Sequence, residues 1–501
     1  MSFWSDLLAG TLMLFGWTNS VTMLAGLLVG FLVGALPGFT ASNAAAIMLP
    51  FTVGMETEAA LILMAAIYCG AQYAGAVPAV LINTPGTPGA AATALEGFPM
   101  AQRGEAGKAL GLARMASAVG GAVSAVAVIF VMQPLSTIAL KFGPPEMFML
   151  AVLGLSLIAG VSGKSVTKSL GVGCLGMVIA AMSADPALSE PRLTFGLFEL
   201  YEGVPFVPVL IGLFAIGEVI FIANRRTLTN EDMLGAPKES WRDSSAGAML
   251  ALRYPMTLLR ATLIGLGIGI IPGTGTAVAN FIAYGEEKRW SKHPERFGTG
   301  IPEGLIASET ADNAVTSGAM VPTFALGVPG GATAAIMLAA LLLHGIQPGP
   351  EIMAKSAPMV YAILVTMLIC SIAILPLGLV LGEALRQVTR VPLKILIPGI
   401  VILSLIGAFA VRNSLFDVAL ALLFGVVGYL MRVQDYPTVP LVLGLILGPI
   451  AEAAYGQSLM LSRGDYSIFI TRPFPAAMWA VILYTLAVQP IIQRYRRRSA
   501  R

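Results

Sequence analysis

Two segments of the chain pair a helix-breaking Pro-Gly with a run of small and hydroxyl residues: Asn83-Thr84-Pro85-Gly86-Thr87 and Gly327-Val328-Pro329-Gly330-Gly331-Ala332-Thr333. A helix that restarts after such a break presents free N–H groups and about half a positive charge, which is the chemistry that holds a carboxylate. Glycine lets a ligand approach the backbone closely, and Thr87 and Thr333 add hydroxyl donors. Asn83, Thr84, Pro85, Gly86, Thr87, Gly327, Pro329, Gly330, Gly331 and Thr333 are therefore the candidate residues for a molecule carrying two or three carboxylates. The plain alternative is helix packing through small residues.

A second pair of breaks lies earlier in each half, at Pro37-Gly38-Phe39-Thr40-Ala41-Ser42-Asn43 and Pro272-Gly273-Thr274-Gly275-Thr276-Ala277-Val278-Ala279-Asn280. Unwound carbonyls with Ser, Thr and Asn oxygens suit a hard cation such as Na⁺. The candidates are Pro37, Gly38, Thr40, Ser42, Asn43, Gly273, Thr274, Thr276 and Asn280, against the ordinary reading of Thr40, Ser42 and Thr274 as helix N-caps. Glu309, Asp312 and Asn313 join them. Glu309 and Asp312 share a helix face at i, i+3. Carboxylates inside a membrane are costly and mark ion or proton paths, whereas at the interface they merely favour a helix start.

The breaks recur in order. Gly34-Ala35-Leu36-Pro37-Gly38, Pro78 and Pro85-Gly86 correspond to Gly269-Ile270-Ile271-Pro272-Gly273, Pro322 and Pro329-Gly330, with both Pro–Pro intervals seven residues long. Interrupted apolar segments at matching places in two halves point to the binding site of a secondary transporter. Backbone groups freed by a break are tolerated in a membrane only where they line a cavity or meet a ligand.

The elements that must position these residues are membrane helices. The chain has 501 residues, 56% hydrophobic and 11% charged, with a mean hydropathy of +0.82. Runs long enough to span, about 20 residues each, fall near 18–36, 57–82, 108–134, 146–161, 166–183, 204–223, 254–271, 356–381, 393–411, 414–431, 434–450 and 474–493. Shorter runs near 40–53, 87–95, 274–284 and 331–344 read as half-helices or re-entrant segments. The expected organisation is a membrane half at 1–223 with a first repeat at about 18–135, a cytoplasmic linker at 224–253, and a second half at 254–501 with a second repeat at about 254–381.

Charge sets the orientation. Arg225, Arg226, Lys238, Arg242 and Arg253 in the linker, and Arg494-Tyr495-Arg496-Arg497-Arg498 at the C-terminus, belong on the cytoplasmic side. The loop at 54–58 has no Lys or Arg, while its counterpart 285–296 has Lys288, Arg289, Lys292 and Arg296. The bias reverses at the next pair: Arg103, Lys108 and Arg114 stand in 101–114, against Lys355 alone in 345–356. Opposite bias in equivalent loops is the mark of inverted topology.

Other chemistries are disfavoured. The net charge of +3 gives no reason to expect a nucleic-acid partner. Cys69, Cys174 and Cys370 are scattered in apolar segments, and His293 and His344 form no metal-binding pair. Gly163-Lys164-Ser165 lacks the glycine a phosphate loop requires, since Ile158 stands in its place. Gly171-Val172-Gly173-Cys174-Leu175-Gly176 and the Gly26, Gly30, Gly34 series read as helix-packing faces. The N-terminus carries no basic region or cleavage site of a signal peptide.

At these residues the chain resembles the large membrane subunit of the tripartite tricarboxylate transporter family. The resemblance is carried by Gly34–Pro50, Tyr73–Pro99 with Leu95-Glu96-Gly97-Phe98-Pro99-Met100, Gly269–Tyr284, and Phe297–Pro350 with Gly345-Ile346-Gln347-Pro348-Gly349-Pro350. Tyr436-Pro437, Leu447-Gly448-Pro449 and Glu452 add to it. It implies a bacterial inner-membrane permease that works with an extracytoplasmic solute-binding protein and a small membrane subunit. An ion gradient drives it in place of ATP, and its substrates are carboxylates such as citrate. One departure stands out: the family's usual Asn-Asn after Glu309-Thr310-Ala311 is here Asp312-Asn313.

The combined expectation is an all-α, polytopic membrane protein, an inverted-repeat secondary transporter with broken and re-entrant helices. It is not an enzyme, needs no cofactor beyond Na⁺ or H⁺ as coupling ion, sits multi-pass in the lipid bilayer with a cytoplasmic C-terminus, and imports a di- or tricarboxylate. A channel is the competing reading, because broken helices also build selectivity filters.

Overall fold

The computed structural model describes residues 3–161, 165–184, 190–224, 241–389, 391 and 393–484. Arg225, Arg226, Lys238, Gly163, Lys164 and the basic tail at 494–498 lie outside the described residues. The chain is an all-α membrane protein. Among the described residues, eight helices are long and apolar enough to cross a bilayer. The only β pairing described is a two-residue ladder, Ser183–Ala184 with Pro191–Arg192.

The helices come in two matching sets. The first is α2 (Trp17–Gly34), α3 (Ala41–Met48), α4 (Thr57–Ala74), α5 (Ala76–Ile82), α6 (Ala91–Gln102) and α7 (Ala106–Ala139), preceded by α1 (Phe3–Leu14). Between the sets run α8 (Pro144–Val161), α9 (Val166–Ala180), α10 (Phe206–Asn224) and α11 (Trp241–Ala251). The second set is α12 (Pro255–Ile270), α13 (Gly275–Trp290), α14 (Pro302–Gly318), α15 (Met320–Leu326), α16 (Ala332–Leu343) and α17 (Ile352–Val380). Then follow α18 (Gly382–Val388), α19 (Leu393–Arg412), α20 (Leu415–Val433), α21 (Val439–Leu461), α22 (Ile468–Thr471) and α23 (Pro473–Leu483).

Each expected span corresponds to a helix among the described residues, and two are shorter than a full span. Residues 166–180 and 255–270 form shorter apolar helices. Three features depart from the sequence reading. The N-terminus folds as α1, which packs on α17 through Gly10 against Pro358 and Ala362. Part of the expected linker, 241–251, is helical and docks on the start of α7, where Gly247 meets Lys108 and Gly111 meets Ser244. The half-helix expected at 274–284 extends to Trp290.

The two sets are inverted. Arg114, near the start of α7, lies against Gly378, near the end of α17. Ser136, near the end of α7, donates to the carbonyl of Pro350, just before α17 begins (3.3 Å). These equivalent helices therefore run side by side in opposite directions, as inverted topology requires.

Glycine seams allow the close packing. A methyl group added at Gly26, Gly30 or Gly34 would sit 2.6, 2.6 and 2.4 Å from the carbonyl oxygens of Leu63, Ile67 and Ala71 on α4. Gly265 stands likewise 2.5 Å from the Ala311 oxygen on α14. Helices that lack a hydrophobic drive to associate in lipid rely on such backbone-to-backbone contact. Gly173 and Gly176 of α9 pack against α21 in the same manner, so that glycine run is a packing face.

Candidate functional site

The breaks of the two sets are built alike. α5 ends at Asn83 and α15 at Gly327, both left-handed (φ 53° and 69°), a conformation glycine and asparagine tolerate. The carbonyl of Pro78 then accepts from Thr84 N, and that of Pro322 from Val328 N, each at 3.2 Å. That shared hydrogen bond explains the equal spacing of the prolines. Next, each break is pinned by a backbone hydrogen bond, the first to the joint between α4 and α5 and the second to the turn before α13. Gly86 N donates to Gly75 O (3.1 Å), and Gly330 accepts from Gly273 N (3.0 Å). A methyl at Gly86 would lie 2.4 Å from the Gly34 oxygen, and one at Gly330 would lie 2.7 Å from Ala319 Cβ and 3.0 Å from the Gly269 oxygen.

This folding brings all four breaks to one cavity of about 320 Å³. Its wall is formed by the starts of four helices: Thr40-Ala41-Ser42 at α3, Thr87-Pro88 at the turn entering α6, Gly273 to Val278 at α13, and Gly330 to Thr333 at α16. Tyr68 and Gln72 of α4, with Val315, Ala319 and Val439, complete it.

The four starts are not equivalent. Thr40 caps α3 in a reciprocal box with Asn43: Asn43 N donates to Thr40 Oγ1 (3.3 Å) and Thr40 N to Asn43 Oδ1 (3.2 Å). Thr87 Oγ1 accepts from Ala90 N (3.3 Å). The starts of α13 and α16 have no side-chain cap. Thr274 Oγ1 donates backward to Ile268 O (2.7 Å), and Gly331 has no side chain. The first-turn amides of α13 and α16 are thus the ones left for a ligand, and helix starts of this kind attract anions.

Of the residues singled out in the sequence, Thr40, Ser42, Thr87, Gly273, Thr274, Thr276, Gly330, Gly331 and Thr333 stand on the cavity wall. Asn83, Thr84, Pro85, Gly86, Gly327 and Pro329 do not; they shape the turns that deliver the others. Pro37 and Gly38 sit in the preceding turn, with Gly38 at φ 82°. Asn43 is committed to its cap and donates to the Phe214 carbonyl (2.7 Å) in a π-helical stretch of α10. Asn313 donates to the Glu309 carbonyl within α14 (3.1 Å).

Glu309 and Asp312 are enclosed by protein. Both are fully buried in the middle of α14. Glu309 accepts from the hydroxyls of Thr93 on α6 and Ser117 on α7, the latter at 2.9 Å. Asp312 accepts from Gln72 Nε2 at 2.6 Å. Asn280, one turn beyond Thr276 on α13, is fully buried with both polar side-chain atoms unpartnered.

Sequence reading missed Tyr68 and Gln72. The signal was present: two polar side chains one turn apart inside the apolar run 57–82, where they are costly without a role. It also missed the part played by Glu96. That carboxylate is buried in α6 and accepts from Gly298 N (2.6 Å), Gly300 N (2.7 Å), Ile301 N (2.9 Å) and Tyr284 Oη (2.7 Å). Counted from Gly86 and Gly330, Ala340 occupies the matching place in α16, whose polar contact is His344 Nε2 with Thr52 Oγ1 (3.0 Å).

Residues 21–443 match the family described as the tripartite tricarboxylate transporter TctA family. The chain belongs to this family. Its members are the large subunit of tripartite tricarboxylate transporters, so the four-break cavity lies in a transport protein that operates with partner subunits. An uncharacterized 52.8 kDa protein in the TAR-I ttuC' 3' region of Agrobacterium vitis is 34% identical over 490 residues, covering 95% of each chain. A second uncharacterized protein, in the TAR-II ttuC' 3' region of the same organism, is 34% identical over 232 residues, or 46% of this chain and 96% of that one. No solved structure matches the chain.

Proposed function

We propose that this TctA-family chain is the permease of a binding-protein-dependent secondary transporter, importing a di- or tricarboxylate of the citrate type on a Na⁺ or H⁺ gradient. The observation that carries the reading is the pair of uncapped helix starts, α13 and α16, meeting at one cavity with no side-chain carboxylate on its wall. Two positive helix ends of the second repeat, meeting at one cavity, match a ligand with separated negative groups. Thr276 and Thr333 supply hydroxyl donors, and Glu309 and Asp312 behind the wall supply the coupling site.

The end of the bundle bearing Arg103, Lys108, Lys288, Arg289 and Arg296 is the cytoplasmic face of a bacterial inner membrane by the excess of positive charge, with the C-terminus on the same side. A small membrane subunit and an extracytoplasmic solute-binding protein complete the system.

The test is uptake of labelled citrate, with other di- and tricarboxylates as competitors, in cells expressing the chain with its partner subunits. Saturable uptake that collapses when the driving gradient is removed supports the reading. Unsaturable leak down a concentration gradient makes the protein a channel, and no flux with any carboxylate sinks the assignment.

A further inference from the structure

Glu309 and Asp312 are two buried carboxylates one turn apart on α14, and their surroundings differ. Glu309 accepts from two hydroxyls, Thr93 and Ser117. Asp312 Oδ1 accepts from Gln72 Nε2, the Thr276 hydroxyl also interacts with the carboxylate, and Oδ2 is buried without a hydrogen-bond partner. The Gly89 backbone closes the Oδ1 side: a methyl added there would lie 1.8 Å from that oxygen. Neither carboxylate forms an ion pair among the described residues.

Two like charges at this spacing, away from water, do not both stand ionised without a counter-charge. A donor on each oxygen favours the anion, and Glu309 has them, Thr93 on Oε1 and Ser117 on Oε2. A carboxyl group with an oxygen that meets nothing is less costly when neutral. We propose that Asp312 is the protonation site that couples transport to a proton gradient, and that Gln72 and Thr276 transmit its charge state to the cavity.

Gln72 and Thr276 both stand on the cavity wall and both reach Asp312. A proton delivered from hydronium in the cavity binds the Asp312 carboxylate, removing one negative charge beside the place where an anionic substrate settles. Substrate and proton then load together. On the other face the O–H bond breaks, water takes the proton, and the restored carboxylate repels the substrate.

A Na⁺ ion fits these surroundings less well. A hard cation takes a shell of oxygens, whereas the group against Oδ1 is an N–H donor. The break carbonyls of Gly75 and Gly330 already accept from Gly86 and Gly273.

The titratable groups facing Asp312 are Glu309 on its own helix and Tyr68 on α4. On the other helices packed against α14, Glu96 of α6 is held by the 298–301 backbone, and Arg260 of α12 pairs with Glu287 of α13. Arg114 of α7 packs beside Gly378.

This inference rests on the carboxylate-import reading, and two measurements separate them. The first is infrared spectroscopy of the full chain in lipid. The carbonyl band of a buried, protonated carboxyl group is expected in the wild type and in Glu309→Gln, and is lost in Asp312→Asn. A band that survives in Asp312→Asn, or disappears only in Glu309→Gln, overturns the proposal.

The second measurement is citrate accumulation in vesicles holding the complete transporter. One coupled proton supports at most about a tenfold accumulation per pH unit. The wild type should accumulate citrate on a pH gradient without Na⁺, and Asp312→Asn should exchange citrate slowly but accumulate none. Accumulation by Asp312→Asn, or wild-type accumulation that needs Na⁺ and ignores pH, overturns the proposal. No carboxylate flux by the wild type, with the infrared band still assigned to Asp312, overturns the import reading instead.

Discussion

Glu96, in the middle of α6, and the amide of Gly300, 204 residues later, are joined by a 2.7 Å hydrogen bond. The same carboxylate takes the amides of Gly298 and Ile301 and the hydroxyl of Tyr284, while Arg103 holds the Thr299 and Gly300 carbonyls. The half-helix of one repeat is thereby fastened to the start of α14 in the other. Hydrogen bonds to a charged group contribute about 1.5–3 kcal/mol each. Glu96→Ala should therefore lower the melting temperature of the purified protein clearly, and Glu96→Gln by less. An unchanged melt in both would show that the contact does not hold the repeats together.

Gly330→Ala places a methyl against Ala319 and the Gly269 carbonyl. Overpacking of this kind costs about 1–3 kcal/mol, and here it also displaces the start of α16 from the cavity. Loss of uptake is expected. Gly171→Ala is the matched control, because nothing lies within 4 Å of its added methyl. Equal uptake by the two variants would refute the close fit at Gly330.

Gly89→Ala forces a methyl onto Asp312 Oδ1. Transport should fail and membrane expression should fall. Removing the obstacle with Asp312→Ala in the same chain should restore expression. If the double variant expresses no better than Gly89→Ala alone, the two residues are not in contact.

Thr333→Asp puts a fixed negative charge on the cavity wall, where it opposes a carboxylate, while Thr333→Ser keeps the hydroxyl. Citrate uptake should be abolished by the first and retained by the second. A working Thr333→Asp variant would place the substrate elsewhere. Gly86 is less suitable for this test, since a side chain there meets the Gly34 carbonyl before it meets any ligand.

Inverted repeats put the loop after α3 and the loop after α13 on opposite membrane faces. Single cysteines replacing Glu56 and Trp290 should therefore react with an impermeant reagent from opposite sides. Labelling of both from one side would contradict the inversion.

Much of this was legible in the sequence, because Pro and Gly act locally. The paired breaks, their seven-residue proline interval and the half-helices between them follow from backbone chemistry alone. Contacts made across the repeats were not legible. The full burial of α14 was not legible, because Glu309 and Asp312 depress its hydropathy and only tertiary packing shows what surrounds them. Gln72 was hidden for the opposite reason: one amide in a long apolar run barely alters its character. Gly86 resembles a ligand-facing glycine, yet it stands off the cavity wall, and its lack of a side chain serves the approach of backbone to backbone.

The pseudo-symmetry of the molecule is broken where it matters for direction. Glu96 ties α6 down with four hydrogen bonds, whereas α16 has Ala340 in that place and relies on His344 and Thr52. A two-way carrier with equal clasps would idle evenly between its inward and outward postures. Unequal clasps tilt the idle population before any solute or ion arrives, and a difference of about 1.4 kcal/mol already leaves ten empty molecules shut at the Glu96 end for each one open there. In a carrier of the kind proposed, that inequality would leave the resting protein facing away from its basic end.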